Sequence, residues 1–146
     1  MRKRSYGEAV ERESFLLGMF NLAMAIAPGM ADAIDLSGRR RLLDLGGGPG
    51  TYAIHFCLKN PALSAAVFDL PTTRPFAEKT IARFHLDRRV TFSAGDYHSD
   101  DITGRFDVAW LSHILHGDGP DACLRLIRKA VGALEPGGLI IVHEFI

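Results

Sequence analysis

The segment Asp44-Leu45-Gly46-Gly47-Gly48-Pro49-Gly50 has the residue types and spacing best suited to chemistry. Gly46 and Gly48 let a backbone turn sharply and bring its N–H groups close to a ligand, because no Cβ intervenes. Two acids follow at the ends of later apolar runs. Asp69 is placed to accept hydrogen bonds from both hydroxyls of a ribose, and Asp96, in Gly95-Asp96, can reach an adenine amino group. Other uses stay open at this point. The bend can be an ordinary glycine turn, or one that seats the pyrophosphate of a nicotinamide or flavin dinucleotide at a helix N-terminus. That second use has the spacing G-x-G-x-x-G, and here its third glycine position is Thr51. Asp69 serves dinucleotides equally well, and either acid can be a loop or capping carboxylate.

These residues need elements to hold them. Arg41 to Leu45 reads as a short strand running into the glycines, and Thr51 to Lys59 as a helix closed by Asn60-Pro61. The pattern recurs with a strand over Ala65 to Phe68, a helix over Thr73 to Phe84 with Pro75 near its first turn, and a strand over Val90 to Ala94. A fourth apolar run, Phe106 to Leu111, precedes a helix over Pro120 to Leu134 with Leu124, Ile127 and Val131 on one face. A fifth strand covers Leu139 to Val142, and its apolar character continues to Ile146. Alternating strands and helices imply a doubly wound, Rossmann-like α/β fold with a mainly parallel sheet of about five strands. Because an open sheet usually ends in a short or covered edge, the chain reads as lacking its final strands. Upstream, Phe15, Leu16, Met19, Phe20, Ala23, Met24 and Ala27 recur at helical spacing, giving a helix from Glu8 to Ala27 ended by Pro28. Its apolar stripe packs on the sheet or lines a substrate and dimer surface. The division expected is 1–38 as N-terminal linker helices and 39–146 as the ligand-binding domain.

Composition narrows the partners. With 146 residues and 47% hydrophobic content the chain can bury one core. Lys plus Arg and Asp plus Glu both number 17, so no net field gathers nucleic acid or an anionic membrane. The basic start Met1-Arg2-Lys3-Arg4 is followed by Glu8, Glu11 and Glu13 where a signal peptide needs apolar residues. The apolar run from Phe15 to Met30 falls short of the roughly 20 residues of a membrane span. A cytoplasmic protein is expected. Cys57 and Cys123 have no partner cysteine at ligand spacing and read as two buried thiols. His55, His85, His98 and His143 show no ligand spacing either, so no metal site is expected.

Taken together, these motifs resemble those of the plant-type and bacterial O-methyltransferases that modify phenols and related hydroxyls with S-adenosylmethionine, whose domain is of the class I methyltransferase type. Leu43 to Gly50 resembles the glycine motif, Phe68-Asp69-Leu70-Pro71 the ribose motif and Gly95-Asp96-Tyr97 the adenine motif. Ile114-Leu115-His116 with Cys123-Leu124 resembles the segment of the catalytic histidine, and Pro136-Gly137-Gly138 with Glu144 the stretch of its supporting acid. The likeness runs from about Phe15 to Ile146. It implies that Asp44, Gly46, Gly48, Asp69, Leu70, Gly95, Asp96, Tyr97 and Ser112 bind S-adenosylmethionine, and that a homodimer acts on a small hydroxyl acceptor. One departure is plain: the family carries an acid and a tryptophan after the histidine, where this chain has Gly117-Asp118-Gly119.

The chemistry implied at His116 is general-base catalysis. A phenol, with a pKa of about 10, is a poor nucleophile until its proton leaves. A neutral imidazole can take that proton, and Glu144 would fix the tautomer by accepting the other ring N–H. Without the resemblance, His116 reads equally as a strand end or helix cap, and His113 as a pocket wall. Two other outcomes remain: a cofactor-binding or interaction module without catalysis, or a member of the family turned to decarboxylation or hydroxylation.

Overall fold

The computed structural model describes residues 2–115 and 119–144. After helix α1 (Arg2–Ala33) the order is β1 (Arg41–Leu45), α2 (Thr51–Lys59), β2 (Ser64–Asp69), a 3-10 turn at Pro71–Thr73, α3 (Arg74–Arg83), β3 (Val90–Ala94), β4 (Phe106–Ser112), α4 (Pro120–Gly132) and β5 (Leu134–His143). The strands form one parallel sheet in the order β3-β2-β1-β4-β5. Chain order runs one way from β1 to β3 and then reverses from β1 to β4. That reversal opens a crevice at the carboxyl ends of β1 and β4, where α/β sheets hold ligands.

Side-chain alternation assigns each strand residue to a face. Leu42, Ala65, Val67, Val90, Phe92, Val108 and Trp110 meet Ala23, Ala27 and Ala31 of α1, Ile54 and Phe56 of α2, and Ala77 and Ile81 of α3. Their neighbours Leu43, Leu45, Ala66, Phe68, Ala109 and Leu111 meet Leu126 and Ala130 of α4. Helices therefore cover both faces. The entry to the sheet is tied by polar groups: the Asp107 carboxylate accepts the N–H groups of Arg40 and Arg41, each at 2.8 Å. Arg89 donates to the carbonyls of Cys57, Asn60 and Leu63, fastening β3 to the loop after α2.

Several expectations need correction. Helix α1 does not stop at Pro28 but runs through it to Ala33. Proline removes only one donor from the helical ladder. Buried Ala27 and Ala31 on either side, 0% and 4% exposed, hold the helix against the core. The inward face of α4 is Leu126, Ala130 and, just beyond the helix, Ala133, whereas Leu124 and Val131 are about half exposed. Leu126, Ala130 and Ala133 recur at i, i+4 and i+7, so the helical period is kept but rotated from the face expected. Strand β5 begins at Leu134, before Pro136-Gly137-Gly138, through an irregular register between Phe106 and Val108. It ends at His143, and Phe145 and Ile146 lie outside the described residues. Of the two cysteines only Cys57 is fully buried; the half-buried Cys123 donates its thiol to the Leu115 carbonyl at 3.2 Å.

Candidate functional site

The bend after β1 is built from left-handed backbone. Gly46, Gly48 and Gly50 have φ of 68°, 55° and 85°, a region that other residues enter at a cost of roughly 1 kcal/mol or more. The Gly46 N–H donates to the Phe68 carbonyl at 2.7 Å, prolonging the β1–β2 pairing by one residue. The Gly48 N–H then donates to Oδ2 of Asp69 at 2.8 Å, and the Leu70 N–H donates to Oδ1 at 2.7 Å. Asp69 thus ties the bend to the end of β2 through both of its carboxylate oxygens.

The other predicted cofactor residues converge on the same place. A Cβ at Gly46 would lie 2.7 Å from Cγ2 of Ile114 and 3.2 Å from Cε1 of Tyr97. The bend, the loop after β3 and the exit of β4 therefore touch one another. Gly95 is packed against the Phe68 ring, 2.5 Å from where its Cβ would be, and donates its N–H to the Asp69 carbonyl at 2.9 Å. Asp96 is half-buried and also serves its own turn: its Oδ1 accepts the His98 N–H, and its N–H donates to Asp100. Lys129 of α4 pins this loop by donating to the carbonyls of Tyr97 and Asp100, each at 2.8 Å. A separate open groove between the same loop and α4, lined by His98, Arg105, Arg125 and Arg128, contains none of the glycine bend.

Asp44 occupies a different level from the others. It is 1% exposed, and its carboxyl atoms lie 2.5 to 2.8 Å from where a Gly47 Cβ would be, so the acid forms the floor under the bend. Its Oδ2 is buried with no hydrogen-bond partner among the described residues. Burial, reinforced by the negative charge of Asp69, pushes its pKa up to about 7, against a smaller opposing effect of the Ala53 N–H. An acid whose folded pKa is raised binds its proton more tightly in the folded state. Its stabilising contribution is fully present below its ordinary value of 3.8 and is lost as pH rises through about 7. Replacing Asp44 with asparagine is expected to flatten the decline in stability over that window. Urea midpoints measured across it check this, and an unchanged slope would place the titration elsewhere.

At the carboxyl ends of β4 and β5 lies a group that sequence patterning did not reveal. Ser112 and His143 are partners in the parallel register, and Ser112 Oγ is 2.9 Å from His143 Nδ1. The Tyr52 hydroxyl also hydrogen-bonds Ser112. The His143 ring stacks on Trp110 at 5.3 Å and lies 4.7 Å from the His113 ring. Burial lowers the His143 pKa, His113 adds to this and Glu144 opposes it. His113 itself has φ of 58° and places Nδ1 3.7 Å from Oε2 of Glu144. Oε1 of Glu144 accepts the Leu115 N–H at 2.8 Å, one residue before His116. His116, Gly117 and Asp118 lie outside the described residues. Two expected residues, Ser112 and Glu144, therefore meet in one cluster, and His113 and His143 join them. Cross-strand register alone brings His143 to Ser112, and no local spacing in the chain announces it.

A parallel sheet in the order 3-2-1-4-5, with a glycine bend and an acid-ended β2 at its switch point, defines a doubly wound, Rossmann-like domain of the nucleotide-binding type. The chain belongs to the O-methyltransferase domain family, whose model matches residues 3–146. A 3-hydroxy-5-methyl-1-naphthoate 3-O-methyltransferase from Streptomyces sahachiroi is 32% identical over 144 residues, covering 99% of this chain and 42% of that protein. An aclacinomycin 10-hydroxylase from Streptomyces purpurascens is 35% identical over 114 residues, covering 78% of this chain and 30% of the relative. Human N-acetylserotonin methyltransferase, solved in complex with SAM, superposes with a TM-score of 0.82 at 27% identity, over 94% of this chain and 39% of the human one. The chain thus spans less than half the length of each of these relatives.

Proposed function

We propose that this chain is the S-adenosylmethionine-binding part of a methyltransferase acting on a phenolic hydroxyl of a small molecule. The observation that carries this reading is the convergence of Gly46, Gly48, Asp69 and Tyr97 at the switch point. The donor set fits the group. An adenosyl ligand with an amino-acid tail needs a ribose acceptor, which Asp69 offers. It also needs backbone that can approach closely, which Gly46 offers, and Asp44 beneath the bend supplies a carboxyl whose ionisation a cationic ligand favours. When bound, the group supplies a methyl on a sulfonium. The chain's own residues bind and orient: Asp69 and Leu70 fix the ribose end, Gly95, Asp96 and Tyr97 the adenine end, and Ser112 the tail.

In the same reading His116 removes the acceptor's proton, and Glu144 orients that imidazole. Support for Glu144 comes from its hold on the Leu115 N–H, which aims the segment that leads to His116. Residues 1–38 form an N-terminal element of a homodimer, supported by the exposed Leu17 and Leu22 on α1, and residues 39–146 form the ligand-binding domain. A cytoplasmic location belongs to this reading. The likeness to a hydroxylase favours one alternative, a family member turned to hydroxylation, and a cofactor-binding module without catalysis is another.

Calorimetry is the first test: heat with S-adenosylmethionine and none with NADH is expected, and the reverse pattern overturns the reading. Transfer of labelled methyl to a phenolic panel is the second, with His116→Ala slowing transfer by about 10²- to 10⁴-fold. If the ligand raises the melting temperature but no acceptor gains label, the binding module stands instead. A product heavier by oxygen rather than by a methylene unit identifies hydroxylation.

A further inference from the structure

We infer that His143 sets the direction of the Ser112 hydroxyl, and so turns Ser112 into an acceptor for the ammonium of the ligand's amino-acid tail. The inference rests on the S-adenosylmethionine reading above and adds a positioning residue to it. A serine hydroxyl has one proton and two lone pairs, and what it offers a ligand depends on where the proton goes. Two fixed neighbours decide that here. His143 Nδ1 lies 2.9 Å from Ser112 Oγ, and Tyr52 reaches the same hydroxyl from α2.

The ring of His143 is not free to turn away from Ser112. It stacks on Trp110, with the planes 27° apart, and is flanked by Tyr52 at 5.8 Å and His113 at 4.7 Å. The charged and titratable groups facing it are Glu144 on its own strand end, His113 at the exit of β4 and Tyr52 on α2. Ser112 donates to the Tyr52 oxygen, the direction that lowers a phenol's pKa, and the Nδ1–H of His143 donates to Ser112. Burial favours the neutral ring, and because Ser112 spends its proton on Tyr52, the ring nitrogen facing Ser112, Nδ1, is the one that carries a proton. The remaining Ser112 lone pair is an acceptor with no proton to give. Ser112 follows the Leu45–Leu111 register pair by one residue, level with Gly46 at the mouth of the crevice. Such a group recognises an ammonium and offers nothing to a carboxylate.

The test uses the intact chain and three probes titrated by calorimetry. S-adenosylhomocysteine carries both ammonium and carboxylate, its decarboxylated aminopropyl analogue keeps only the ammonium, and 5′-methylthioadenosine lacks both. His143→Phe keeps a ring against Trp110 but removes Nδ1, and the amide of His143→Asn restores a donor near the same position. Phe is expected to weaken the first two probes by about tenfold, as for loss of one oriented hydrogen bond to a charged group, and to leave the third unchanged. Asn is expected to recover most of the loss. Equal weakening of all three probes, no recovery with Asn, or a penalty that vanishes once the carboxylate is removed overturns the inference. A wild-type chain that binds none of the three overturns the cofactor reading itself, and the inference with it. Melting curves of both variants separate these outcomes from a failure to fold.

Discussion

Replacing Asp69 with alanine is expected to weaken S-adenosylhomocysteine binding by about 10²- to 10³-fold, the loss for two hydrogen bonds between a carboxylate and ribose hydroxyls. The carboxylate is 7% exposed and already holds the N–H groups of Gly48 and Leu70, so the substitution also frees both backbone donors. Thermal stability without ligand should therefore fall as well, by about 1–3 kcal/mol for buried groups left without a partner. The two effects separate in one experiment. Melting temperatures measured with and without saturating ligand give the folding loss, and calorimetry below the melting range gives the binding loss. A variant that is less stable yet binds with wild-type affinity shows that Asp69 only fastens the bend, and the ribose role then fails.

Gly47→Ala is expected to destabilise the fold by about 2–4 kcal/mol, a size reserved for overpacking of sites that cannot relax. Its Cβ would stand 2.5 Å from Cγ of Asp44 and 2.6 and 2.8 Å from the two carboxylate oxygens. Those atoms belong to a short, buried side chain beneath the bend, with little room to swing aside. Asp44→Ala removes the carboxyl that the new Cβ would meet, so the double variant should lose less than the sum of the singles. Urea unfolding of the four proteins in that cycle gives the coupling directly. Additive losses would mean that the clash is relieved some other way.

How much of this was legible beforehand differs by element. Strands Arg41–Leu45 and Val90–Ala94 and helix Thr51–Lys59 carry their boundaries locally, in glycines, Asn60-Pro61 and apolar runs, and the structure keeps those bounds. Pro28 misled because a proline rule is local, whereas the packing of Ala27 and Ala31 that carries α1 through it is tertiary. Of Leu124, Ile127 and Val131 only Ile127 packs against the core, because Leu126, Ala130 and Ala133 form a second stripe of the same period that is the buried one. Gly46, Gly48 and Asp69 could be found from the chain because strand ends bring them to one crevice whatever the details of register. The pairing of Ser112 with His143 could not, since it depends on how β4 slides against β5, and a one-residue slip would separate them. The floor position of Asp44 was likewise hidden: acidity is visible in sequence, but depth beneath a turn is not.

The contact between Gly46 and Ile114 has a mechanical side. Ile114 fills the space that a side chain at Gly46 would need, so the first bend of the sheet and the exit from its fourth strand bear on each other like two halves of a latch. A change at the Gly46 bend therefore meets the exit of β4 and the loop after β3 through one seam of methyl and aromatic carbon.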